Sequence, residues 1–179
     1  APIAIDLTAI DQLQTHDDIA AYFGSSNPMG VDAPFNLYVG QDDKDATGYV
    51  MFFVQSGLGL PDRAYYNDSS DRGQQIIAKY KSYIETVLSL IGQQNAGLAA
   101  QQIFALESQL AAAQWTKVDN RDADKAYNKY SSKELSELLY NLDLEKYFSG
   151  IGVSDVDYVI VSQPSYLESV NNLFRQTPV

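Results

Sequence analysis

The chain has no cysteine, one histidine, one tryptophan and two methionines among 179 residues, and 12 basic residues stand against 23 acidic ones. Each shortage closes off a kind of chemistry. Without cysteine there is no disulfide framework, no thiolate metal site and no cysteine nucleophile. With His16 as the single histidine there is no H-E-x-x-H helix, the pattern that gives a catalytic zinc two ligands on one face. A site made of carboxylates alone suits calcium or magnesium better than zinc. The formal net charge of -11 and pI of about 4.3 oppose binding to phosphate backbones and to anionic membrane surfaces. No apolar run approaches the roughly 20 residues of a membrane span. The start, Ala1-Pro-Ile-Ala-Ile-Asp6, lacks the basic and long apolar regions of a signal peptide and an initiator methionine, and reads as a processed or truncated end.

What the chain does have is material for a core. Hydrophobic residues make up 45% of it, and the length predicts a single domain over residues 1–179. Thr15 is placed to cap a short helix carrying Ile19, Tyr22 and Phe23, with Gly24 as its stop and Ser25–Gly30 as a loop. Phe35–Val39 and Tyr49–Gln55 are rich in aromatic and β-branched residues and read as a hairpin around a polar turn, Gly40–Gly48. Ile76, Ile77, Tyr80, Ile84, Val87, Leu88 and Ile91 recur at three- and four-residue spacing, which predicts a long helix from Asp71 to a stop at Gly92. Asn95 is the expected cap of a second helix, reaching about Trp115, with Leu98, Ile103, Leu106, Leu110 and Ala113 as its buried face. Ser131 and Glu134 have capping-box spacing before a helix to about Tyr140. Asp143 caps a short one, Leu144–Phe148. Tyr158–Val161 reads as a lone strand, and Pro164 opens a last helix ending near Arg175. The fold class expected is mainly α, or α+β: helices with one hairpin and one further strand.

The candidate sites are weak when taken singly. His16 lies beside two aspartates at a helix start and reads as a surface residue. Asp43, Asp45, Thr47 and Gly48 fit the first half of an EF-hand loop, but its twelfth position is Val54, so a hairpin turn is the simpler reading. No G-x-S-x-G elbow is present. Among 23 acidic residues some carboxylate pair is always available, so a glycosidase reading carries little weight. Gly57-x-Gly59 lacks the third glycine of a dinucleotide loop. The 13 tyrosines could form a surface for sugars or peptides, although tyrosines at helical spacing are more often half-buried core. Glu107, between Leu106 and Leu110 in a helix, needs a partner if buried, and Arg121 is the candidate for a structural ion pair.

Several segments then fall in the order of one family. Gly57-Leu-Gly-Leu-Pro-Asp-Arg-Ala-Tyr-Tyr66, which contains Gly59, Pro61, Arg63 and Tyr65, resembles the glycine-leucine-proline stretch with paired tyrosines of neprilysin-like zinc endopeptidases. Ala105–Ala111 around Glu107, Arg121-Asp122 with Tyr127-Asn128, Ser162–Leu167, Gln176–Val179 and the hairpin around Asp42–Asp45 are similar to further markers of that family. The resemblance covers nearly the whole chain and implies part of the helical N-terminal lobe, a lid over a chamber that admits small peptides. It implies that zinc and its ligands belong to a C-terminal catalytic lobe beyond Val179, the chain's partner, so no catalytic or metal residue carries over to any position here. It also implies a secreted or periplasmic location and a chain that on its own hydrolyses no peptide. The rival expectation is a free-standing peptide- or sugar-binding module.

Overall fold

The computed structural model describes residues 3–179; Ala1 and Pro2, the beginning of the stretch read as a processed end, lie outside them. The fold is mainly α with one small sheet, and it divides into two compact units. One unit comprises the chain up to Ser56 together with Val118–Val179; the other is Gly57–Lys117.

The first unit holds the sheet. Strands β1 (Phe35–Asp42) and β2 (Asp45–Gln55) form the expected antiparallel hairpin, in a register that pairs Phe35 with Gln55 and Tyr38 with Phe52. Both strands run further into the polar turn than composition suggests, because backbone pairing continues past the last apolar residue. Strand β3 (Asn128–Ser131) was not expected at all; its four residues, NKYS, carry no apolar alternation. It exists because β4 (Tyr158–Val161) offers it an antiparallel edge, while β4 itself lies parallel to β2. The sheet order is β1-β2-β4-β3. One face is an aromatic core in which Phe35, Phe53, Tyr147 and Phe148 meet at ring separations of 5.3–6.2 Å. The other carries Val50, Phe52 and Ile160, with Val54, Tyr127 and Tyr158 against them.

Among the described residues five helices belong to the same unit. Helix α1 (Ala4–Asp11), unread in the sequence, buries none of its residues. Helix α2 (His16–Ser26) begins at the predicted cap, where Thr15 and Asp18 close a reciprocal capping box. Gly24 does not stop it. A Cβ there would sit 2.0 Å from the Tyr147 carbonyl oxygen, so the glycine serves close packing against α6 (Leu144–Ile151). The Ser131–Glu134 box and the Asp143 cap form as expected, before α5 (Ser132–Leu138) and α6. Pro164 opens α7 (Pro164–Gln176), where Tyr166, Leu167 and Val170 are buried.

The second unit contains α3 (Asp71–Leu90) and α4 (Ala96–Ala113), a pair joined through Gly92 at a positive φ of 85°. Ser70 caps α3 by accepting the Gly73 N–H. Asn95 occupies the predicted N-cap position of α4 in a left-handed conformation, but its side chain makes no capping bond. The buried face expected of α4 needs correction: Leu110 is buried, whereas Leu98 is exposed. The apolar stripe of α3 is covered in part, with Ile77 and Ile84 buried and Val87 and Ile91 exposed.

Candidate functional site

The best-defined side-chain cluster grows out of the stretch Gly57–Tyr66. Gly57 adopts φ of 83°, a left-handed conformation that disfavours side chains. Pro61 precedes Asp62, whose carboxylate accepts the Ala64 N–H at 2.8 Å and so caps the 3-10 turn Arg63–Asn67. Asp62 also pairs with Lys117 at 3.0 Å. The Ala64 N–H first, then Lys117, hold its carboxyl below the usual carboxylate range. Arg63 points its guanidinium at the end of α4: Nε donates to the Ala111 carbonyl at 2.9 Å and Nη2 to Ala112 at 3.2 Å. A cation at the C-terminal carbonyls of a helix complements the dipole and satisfies acceptors that have no helical partner.

Tyr66 is buried. Its hydroxyl donates to Glu107 Oε2 at 2.6 Å and accepts the Leu60 N–H at 3.0 Å. From α3, the Tyr80 hydroxyl donates to the same carboxylate, 2.9 and 2.8 Å from its two oxygens. Phe104 lies beside both rings, at 5.5 Å from Tyr66 and 6.4 Å from Tyr80. Burial first, then the Glu107 carboxylate, push both phenols well above the ordinary tyrosine value of 10. Gly59 completes the cluster: a Cβ there would stand 1.9 Å from the Tyr80 hydroxyl. Tyr65, the other member of the pair, lines a shallow cavity of about 540 Å³ with Asp62, Asp68, Arg72 and Lys117.

Glu107 is the helix glutamate expected to need a partner, with Arg121 as the candidate. The partners found are Tyr66 and Tyr80, two neutral donors from its own unit. Arg121 is exposed in a 3-10 turn, Asp119–Arg121, of the other unit. Tyr80 was read only as part of an apolar stripe; its pairing with Glu107 spans 27 residues and leaves no local pattern.

The first unit repeats the device. Asp42, 3% exposed, accepts the Tyr127 hydroxyl at 2.8 Å, the Tyr158 hydroxyl at 3.1 Å and the Lys44 N–H at 2.8 Å. The Lys44 N–H is the main cause holding its carboxyl below the usual range, with both hydroxyls adding to it. Burial, then Asp42, push the Tyr127 phenol up to about 12. Lysines cover both rings, Lys44 at 4.3 Å from the centre of Tyr127 and Lys129 at 3.5 Å from that of Tyr158. Asn128 ties β3 down by donating to the Lys125 and Val161 carbonyls at 2.7 and 3.0 Å. The hairpin marker Asp42–Asp45 gives no sign of these partners, because Tyr127 and Tyr158 are 85 and 116 residues away. The neighbours of Asp42 behave as turn residues do: Asp45 accepts from the backbone and hydroxyl of Thr47.

In Ser162–Leu167, Tyr166 is buried with its hydroxyl 2.6 Å from the Pro34 carbonyl and 2.8 Å from that of Ser56, which flank the two strands at the open end of the hairpin. Gln163 accepts the Gln55 N–H at 2.8 Å and donates to Asn120 at 3.1 Å. His16, read as a surface residue, is half-buried: Nε2 lies 2.9 Å from the Thr177 carbonyl and the ring is edge-on to Phe174 at 5.1 Å.

Residues 1–179 match, from end to end, the N-terminal model of peptidase family M13. The chain belongs to that family. Endothelin-converting enzyme-like 1 of Homo sapiens is 32% identical over 152 residues, which cover 82% of this chain and 20% of that protein. The neutral endopeptidase of Lactococcus lactis subsp. cremoris is 26% identical over 176 residues, 96% of this chain and 27% of that one. Among solved structures, the inhibitor complex of a Mycobacterium tuberculosis zinc metalloprotease superimposes with a TM-score of 0.92 at 31% identity, over 98% of this chain and 27% of that chain. This M13 chain therefore spans about a quarter or less of the length of these relatives.

Zinc, the metal of that Mycobacterium tuberculosis metalloprotease, does not fit the donors found here. The one histidine is spent on the Thr177 carbonyl and Phe174. Among the described residues no three His, Asp or Glu side chains converge as ligands. Nor, among them, is any helix long and apolar enough to cross a membrane.

Proposed function

We propose that residues 1–179, taken as one domain, form a non-catalytic lid of an M13 zinc endopeptidase. The lid limits which peptides reach a catalytic lobe carried elsewhere in the polypeptide, and that lobe is its partner. Zinc and the hydrolytic residues belong to the lobe, small peptides are the substrates, and a secreted or periplasmic location goes with this reading. The observation that carries it is where the motif side chains are spent. Tyr66 and Tyr80 bind Glu107, Arg63 binds helix carbonyls, and Tyr166 binds the hairpin ends. Each of these makes rigidity rather than a reacting centre, and rigidity is what a size filter requires. The tyrosines that suggested a sugar- or peptide-binding module are in part those same clamps, which favours the lid.

Cleavage of a peptide ladder tests this. The parent enzyme should cut short peptides and spare long ones, and Glu107→Ala should extend the accepted length. Purified chain 1–179 should hydrolyse nothing with added zinc. Chelator-sensitive cleavage by the purified chain overturns the proposal, as does a length cut-off that ignores a loosened lid.

A further inference from the structure

The aromatic core covers only part of its face of the hairpin. Phe35 and Phe53 are buried in it. Further along the same face Val39 is 63% and Tyr49 80% exposed, and Met51 is half-buried. Between these residues and the segment that leads into β4 lies a cleft of about 200 Å³, lined on its other side by Asp155, Val156 and Asp157. The strand edge in this cleft is open. The Gln55 N–H donates to Gln163 and the Phe53 carbonyl accepts the Ser162 N–H, so both point to the β4 side of β2. Strand alternation gives Met51 and Tyr49 the same direction. β4 pairs with β2 only from Met51 to Phe53, so the peptide groups of Tyr49 face the cleft with no strand beside them. The rim is acidic: Asp155 and Asp157 are exposed, and among the described residues no lysine or arginine forms an ion pair with either.

We propose that this cleft holds an extended peptide through one arginine side chain. This rests on the reading that peptides reach the lid, and names the side chain the lid retains. The open edge at Tyr49 selects a peptide over a small cation, because main-chain groups can bond to it as an added strand. The cleft has room for one long side chain and not for a folded partner. Its apolar walls and acidic rim select a side chain with an apolar stem and a cationic end. Charge complementarity favours the same occupant, since the whole chain carries -11 and the two rim carboxylates lack a cation of their own. Arginine suits the cleft better than lysine: its planar guanidinium stacks on an exposed ring such as Tyr49 and forks onto a carboxylate, and an ammonium does neither.

The test uses the zinc-bound full-length parent and short, end-blocked, labelled alanine peptides whose central residue is arginine, lysine or norleucine. Mass spectrometry confirms that each peptide stays intact during the measurement. By fluorescence anisotropy the arginine peptide should bind about fivefold more tightly than the norleucine peptide, with the lysine peptide between them. The double variant Asp155→Asn/Asp157→Asn should remove that preference with Tm unchanged, and Tyr49→Ser should weaken the arginine peptide about threefold. A photo-crosslinker beside the arginine should join to residues 39–51 or 155–158. Equal binding of the arginine and norleucine peptides overturns the proposal, as does a preference that survives in the double variant, or crosslinks confined to other segments. Arginine and lysine peptides bound alike overturn the assignment to arginine. A parent that excludes long peptides but shows no arginine preference keeps the lid reading and removes this one. An arginine preference without any length limit does the reverse.

Discussion

Glu107 in one unit and Asp42 in the other are each held by two tyrosine hydroxyls, yet the two clamps do different work. At Glu107 the donors come from a loop and from a neighbouring helix, and Phe104 packs beside both rings. The carboxylate fastens an irregular stretch that has no ladder of its own. At Asp42 the donors come from the residue just before β3 and from β4, and the hairpin's own Lys44 N–H adds a third bond. Strand pairing already orders those segments, and two lysines lie over the rings. A carboxylate that replaces missing backbone order should matter more than one that reinforces existing order. Burial sharpens this, because a phenol left without its acceptor in the interior loses a bond that water cannot return.

Melting experiments on single variants test that contrast. Glu107→Ala strands Tyr66 and Tyr80 and should cost about 3 kcal/mol, a fall in Tm of roughly 6–12 °C for a chain of this size by thermal unfolding. Asp42→Ala should lower Tm by clearly less; equal falls would sink the comparison. Gly59→Ala forces the Tyr80 hydroxyl aside and should cost about 2 kcal/mol. Adding Tyr80→Phe should recover part of that loss, since removing the hydroxyl removes the clash.

Tyr66→Phe or Tyr80→Phe alone should cost about 1 kcal/mol each, with Tyr127→Phe and Tyr158→Phe giving smaller shifts in the same melting experiment. The smallest effects are in pH. Tyr66 and Tyr80 hold their protons more tightly folded than unfolded, so their contribution is complete below pH 10 and fades as pH rises beyond it. Asp42 is the opposite case: its contribution is complete above its unfolded value of 3.8 and is lost as pH falls below that. Denaturant titrations across pH should show the alkaline loss flattened in the double variant Tyr66→Phe/Tyr80→Phe and the acid loss flattened in Asp42→Asn. Unchanged limbs in both would remove the clamps as the cause.

Much of the fold was legible because it is local. Thr15, Ser131 and Asp143 cap helices through bonds spanning three residues, and the hairpin follows from β-branched and aromatic runs around a polar turn. Gly24 was misread because a glycine near a helix end resembles a stop; here its missing side chain admits the Tyr147 backbone. Strand β3 was missed because its residues, apart from Tyr130, have little strand preference, and only the β4 edge makes them a strand.

Family membership and the importance of Gly57–Tyr66 were readable in the order of short motifs along the chain, since glycine, proline and paired tyrosines announce a constrained path. The partners of those motifs were not. Glu107 meets Tyr66 across 41 residues, Asp42 meets Tyr158 across 116, and His16 meets Thr177 across 161. A hydrogen bond leaves a local trace only when both ends lie within a turn or two. Over longer separations the packing of helices and strands selects which donor arrives, and so tertiary structure brought Tyr66 and Tyr80 to Glu107.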